Sequence, residues 1–179
     1  MKSIVISIRP KWVAKILNGE KSIEIRKSKP KEQVEWVYIY CTKPDIRSKY
    51  RIGHLGFSND EVYRLPNGLI KYGDSVELMA YDHNDYNNFF NGKIVARFKI
   101  GNIDKIQTAL AYNENIDEIE KNSNLTLTDI MRYAEGKNVY GWHIQKLEIF
   151  DKLKELSEFG LKKAPQSWCY IKKRENYGK

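Results

Sequence analysis

Lys21, Glu24 and Arg26 place two bases and an acid within one short stretch, and their types suit either recognition of a nucleotide or proton transfer beside one. Arginine offers a planar fork for a phosphate or a base edge, lysine a mobile point charge, and glutamate an acceptor for an exocyclic amino group. The local sequence brings them to one surface. Ile23 and Ile25 alternate with Ser22, Glu24 and Arg26, so an extended strand turns the isoleucines to one face and the carboxylate and guanidinium to the other. Lys21 lies at the turn into that strand, where its long stem carries the ammonium over the same surface. Two compatible readings stand: a salt bridge from Glu24 that fixes the strand, and a ligand-facing cleft.

The elements that must position this trio lie just before it. Residues 3 to 9 alternate Ile4, Ile6 and Ile8 with Val5, Ser7 and Arg9, which predicts a strand with one strongly apolar face. Pro10 suits the first turn of a helix, and Trp12, Val13, Ile16 and Leu17 recur at helical spacing on its buried side. Gly19 then ends the helix in the left-handed conformation and hands over to the strand. Arg9, Lys11 and Lys15 fall around the expected cleft. Their stripe either tracks phosphates or is a solvated helix face.

The pattern Gly19-x-Lys21-x-x-Glu24-x-Arg26, preceded by a strand and a Pro-started helix, resembles the signature of the ASCH domain family, which is related to PUA domains and linked to RNA binding. Residues 91–98, 140–144 and 165–171 are similar to larger, phage- or prophage-associated members. The resemblance implies a single α+β domain over residues 1–179: a PUA-like, mainly antiparallel β-barrel with peripheral helices, an enlarged insertion at about 45–90 and a basic tail at 172–179. It also implies RNA or nucleotide binding in a basic cleft formed by Lys21, Glu24 and Arg26, with Arg9, Lys11 and Lys15 at its mouth. Trp168 or nearby Tyr170 is the aromatic candidate. Some family members are hydrolases, either ribonucleases or amidohydrolases of a modified nucleoside. In the latter a lysine matching Lys21 activates a threonine at the position of Glu24, and this chain lacks that hydroxyl. If the protein is an enzyme, Lys21 and Glu24 form its acid–base pair. A third class, a protein-interaction module, would use the acidic middle of the chain.

Bulk properties agree with an anionic partner. The 179 residues carry a formal charge of +8. The charge is uneven: residues 1–51 hold 13 Lys/Arg against 5 Asp/Glu, residues 52–135 hold 8 against 13, and residues 136–179 hold 10 against 5. Two basic ends around an acidic middle favour a directed positive face. Cys41 and Cys169 are too few for a disulfide framework and lack zinc-site spacing, so buried thiols are expected. His54, His83 and His143 share no metal or triad spacing, and no metal or cofactor is expected. Asp82-His83-Asn84-Asp85-Tyr86-Asn87-Asn88 fails as a calcium loop, because Tyr86 and Asn87 replace a ligand and the required glycine. No segment reads as a leader or membrane span, which predicts a cytoplasmic protein.

The remaining pattern predicts strands at 34–41, 74–81, 93–100, 138–150 and 165–171, the fourth with a bulge after residue 145. Helix is expected within 103–121. A further helix bearing Leu127, Ile130, Met131 and Ala134 is capped by Thr126 with Asp129 and stopped at Gly136. Asp151 is the expected cap of a last short helix with Leu153, Leu156 and Phe159, ended by Gly160. The tryptophans Trp12, Trp36, Trp142 and Trp168 all sit in apolar stretches, which favours core packing for most of them.

Overall fold

The alternating isoleucines of the first strand are what the sheet is built around. The computed structural model describes residues 2–42, 62–64, 70–72, 92–107 and 115–171. Strand β1 (Lys2–Ile8) lies between β3 (Val34–Cys41), to which it is parallel, and β8 (Trp168–Ile171), to which it is antiparallel. Ile4, Ile6 and Ile8 enter the main core, as their alternation predicts. The opposite face is covered too, contrary to the expectation of one apolar side: Val5 is fully buried beside Phe159 and Tyr38. A central strand with layers on both faces cannot leave one side to water.

Helix α1 (Pro10–Leu17) follows with Pro10 in its first turn, and it buries Val13, Ala14 and Ile16. Gly19 takes φ +76°, the left-handed conformation that redirects the chain at little steric cost. Strand β2 (Ile23–Arg26) then crosses to the far edge of the sheet and pairs antiparallel with β7 (Val139–Lys154). The long β6 (Ile94–Ile106) joins β7 to β3, giving the order β2-β7-β6-β3-β1-β8. A two-stranded ladder of β4 (Val62–Arg64) with β5 (Ile70–Tyr72) stands apart from this sheet.

The sheet is mixed and open, which corrects the expected barrel. Its edges, β2 and β8, form no ladder with each other among the described residues. β2 has four residues and its sequel turns into a polar loop, so too little backbone remains to complete the ring. Instead, the Arg26 guanidinium donates across the gap to the Ser7 carbonyl at 2.7 Å.

Two helices close the Ile23 and Ile25 side. α2 (Ile116–Ser123) and α3 (Leu127–Ala134) bury Ile119, Ile130 and Ala134 against Ile23, Ile25, Ile106 and Val139. Each fully buried isoleucine contributes roughly 1.5–3 kcal/mol. The Thr126–Asp129 capping box forms as expected, but the helix stops one residue before Gly136, at Glu135, which itself adopts φ 52°. Met131 is 49% exposed, so the apolar face is narrower than the pattern suggested. The irregularity in β7 is present: Lys146 has φ 47° and the register with β6 shifts there. Asp151 caps nothing, because β7 continues to Lys154; a 3-10 helix at Leu156–Phe159 is capped by Glu155 and ended by Gly160. The final strand starts at Trp168, three residues later than expected, since residues 165–167 turn over the sheet edge. The expected strand at 74–81, the Asp82–Asn88 segment, His54, His83 and the tail at 172–179 lie outside the described residues.

Candidate functional site

Because the sheet stays open, a cavity of about 620 Å³ remains between the β2 edge and the end of β1. Its wall is formed by Lys21, Glu24 and Arg26 on one side, Ser7, Ile8 and Arg9 on another, and Leu125, Asp129 and Tyr133 from α3 and the turn before it. Thr42, at the end of β3, and the 166–167 turn complete it. The volume falls within the small-ligand range of about 300–1,000 Å³.

The three motif residues are far more buried than a surface cleft would make them. Lys21 is 2% exposed, Glu24 6% and Arg26 9%. Glu24 sits between the two bases, with Oε2 3.3 Å from Lys21 Nζ and Oε1 3.0 Å from Arg26 Nη2. Lys21 also donates to the Ser123 carbonyl at 2.6 Å and lies 5.2 Å from the Trp12 ring centre. Burial holds its pKa below the usual lysine value, opposed by the neighbouring Glu24 charge. Arg26 Nε is buried and has no hydrogen-bond partner among the described residues. A carboxylate accepts up to about four hydrogen bonds, so Glu24 retains capacity beside an unused donor. The salt bridge and the cavity wall are therefore the same structure.

The other expected residues divide. Arg9 is exposed on the rim, with no carboxylate within ion-pair distance among the described residues. Lys11 is outside the lining, its ammonium 5.0 Å from the Trp12 ring centre. Lys15 is turned away from the cavity: it bonds Glu20 at 3.0 Å and Asn124 at 2.9 Å, tying α1 to the α2–α3 turn. Hydrogen bonding to Lys15 also lowers the Glu20 pKa. Trp168 is half-buried outside the lining, edge-on to Trp142 at 5.8 Å. Its indole donates to Ser28 Oγ at 3.1 Å, so it braces the cavity wall from behind.

Sequence reasoning missed Lys27, Asp129, Tyr133 and Thr42 as lining residues. Lys27 carried a signal, following Arg26 directly in a basic run; the others reach the cavity only through tertiary packing. His143 bonds Asp104 at 2.6 Å away from the cavity, as a satisfied strand histidine. Cys41 is buried, with its thiol pKa pushed up to about 12 by burial. No cluster of three or more His, Cys, Asp or Glu able to hold a metal occurs among the described residues. Among those residues, no helix is long and apolar enough to cross a membrane.

The fold matches solved structures. An ASCH protein from Zymomonas mobilis aligns with 14% identity over 96% of this chain and 89% of that one, at a TM-score of 0.58. A serine-to-alanine variant of that protein aligns with 13% identity over 96% and 89%, and a tyrosine-to-phenylalanine variant with 13% identity over 97% and 92%, both at 0.59. No family model and no curated protein matches the sequence. At this identity the likeness establishes the fold, and the fold is that of ASCH domain proteins.

Proposed function

We propose, from a chain with the ASCH fold, that the protein binds single-stranded or structured RNA by taking a nucleotide into the cavity between β2 and β1. The observation that carries this is the Lys21–Glu24–Arg26 arrangement in the cavity wall, two cations around one carboxylate, with Arg9 exposed at the rim and without an ion-pair partner among the described residues. The wall has a net positive charge, and the Glu24 carboxylate between its two cations retains acceptor capacity. That acceptor suits a base edge that presents an exocyclic amino donor. Arg9 is placed to meet the phosphate outside.

Hydrolysis in the same cavity is the second reading. The lowered pKa of Lys21 favours it, since burial moves the ammonium in the direction a general base requires. Two features weigh against it. Lys21 is committed to Ser123 and Glu24, and the hydroxyl of Ser7 donates to the Pro165 carbonyl at 2.6 Å rather than to a base among the described residues. A protein-interaction role has no comparable support among the described residues.

Incubating the protein with labelled mixed-sequence RNA, and scoring retention and cleavage together, separates the readings. Retention without cleavage, falling steeply with added salt, is the expected result. Cleavage that disappears in Lys21→Met would make the protein a nuclease. Absence of both would remove RNA as the ligand.

A further inference from the structure

The loop leaving β2 begins in the cavity wall and runs out of it. Lys27 and Ser28 line the cavity, and Lys29, Pro30 and Lys31 follow before β3. Tyrosines hold this loop at its start, middle and end. Lys27 Nζ lies 5.2 Å from the Tyr133 ring centre and Lys29 Nζ 5.7 Å from that of Tyr140. The Tyr170 hydroxyl accepts from the backbone N–H of Lys31 at 3.0 Å and of Glu32 at 3.1 Å. Cation–π contacts and backbone hydrogen bonds thus fix the course of an exposed basic segment.

The charges along it are not equally spent. Lys27 pairs with Glu135 at 2.9 Å, and Lys2, beside the loop's end, pairs with Glu32 at 2.7 Å. Lys29 and Lys31 are exposed and have no carboxylate within ion-pair distance among the described residues. The contrast with the far face of the sheet is direct: there Arg97 is paired with Glu148 at 2.6 Å and rests 4.0 Å from the Trp36 ring centre. Two exposed cations on a braced loop, without a carboxylate partner among the described residues, beside rings and at the mouth of a cavity, fit a polyanion that continues past the cavity.

We infer that the ligand is a single-stranded polynucleotide longer than the cavity holds, whose backbone leaves the cavity along the β2–β3 loop with phosphates on Lys29 and Lys31. The inference rests on the proposed nucleotide site and adds the path that the strand takes beyond it. A free nucleotide would occupy the cavity and leave the loop unused.

The test compares an equimolar mixture of the four 5′-mononucleotides with a mixed-sequence RNA of about 12 nucleotides, within the usual span of one small single-strand-binding domain. Three proteins are used: unaltered, Lys29→Ala/Lys31→Ala and Lys29→Arg/Lys31→Arg. Both side chains are on the surface, so the variants keep the fold. Losing two phosphate contacts should lower the slope of log K against log salt by about 1.4 and weaken 12-mer binding roughly 20-fold at 0.1 M salt. Mononucleotide binding should be unchanged, and the arginine pair should restore the 12-mer. The path along the loop is wrong if the alanine pair binds the 12-mer as the unaltered protein does, or loses mononucleotides and 12-mer alike. If the unaltered protein binds neither probe, the nucleotide site fails and the path fails with it.

Discussion

Two basic stretches lie next to each other in this chain and are used in opposite ways. In β2 and the turn before it, Lys21 and Arg26 are buried around Glu24, and each also bonds a backbone carbonyl, of Ser123 and Ser7 respectively. In the loop that follows, Lys27, Lys29 and Lys31 are exposed, and only Lys27 has an acidic partner among the described residues. Residue type alone does not separate them. Burial does: a desolvated cation needs a counter-charge and acceptors beside it, whereas a surface cation is free to serve a partner. The buried set therefore fixes the site's shape and polarity, and the exposed set supplies reach and salt dependence.

The largest break in that contrast comes from Glu24→Gln. Two buried cations would then face each other without their carboxylate, and the cost should be about 3–5 kcal/mol. Urea unfolding reads it; a loss under about 1 kcal/mol would show that the trio is not held by charge. Lys21→Met should cost less, about 1–3 kcal/mol, because the Glu24–Arg26 pair survives while the Ser123 carbonyl loses its donor.

The same variant gives a pH test. Burial keeps the folded pKa of Lys21 below 10.5, so between that folded value and 10.5 the unfolded chain binds more protons than the native one. The penalty for burying the charge is fully present below the folded pKa and is relieved as pH rises through it. The stability gap between the unaltered protein and Lys21→Met should therefore widen in favour of the unaltered protein as pH is raised toward 10.5. A constant gap would mean that Lys21 titrates at its ordinary value. The smallest effect belongs to the loop: Lys27→Ala removes an exposed pair with Glu135, and thermal melting should not change. A clear drop in Tm would show that the loop is structural as well.

Much of this was legible locally. The alternation of Ile23, Glu24, Ile25 and Arg26, the proline at the start of α1, the glycine at its end and the Thr126 cap are short-range signals, and each predicted its element. What failed was long-range. Nothing within residues 3–9 announces that both faces of β1 are covered, because the cover for Val5 comes from Phe159, at the other end of the chain. Nothing in the β2 sequence tells that its edge forms no ladder with β8 among the described residues and that the Arg26 side chain bridges to Ser7 instead. Lys15 illustrates the same limit in the site. Its place on the exposed side of a helix suits a phosphate contact, and only the packing of the 124 turn shows that Glu20 and Asn124 take it. Tyr133 joined the cavity by the orientation of α3, which no periodicity specifies.

The cavity's claim to a nucleic-acid ligand is tested most directly at Arg9, which is exposed on the rim and free of a carboxylate partner among the described residues, so that changing it leaves the fold intact. The measurement is a salt titration of RNA binding for the unaltered protein and Arg9→Glu. The account predicts affinity that falls linearly on logarithmic axes as salt rises, with the variant weaker at every salt and its slope shallower by about 0.7 or more. Binding that ignores salt, or an Arg9→Glu variant that binds as the unaltered protein does, would contradict it.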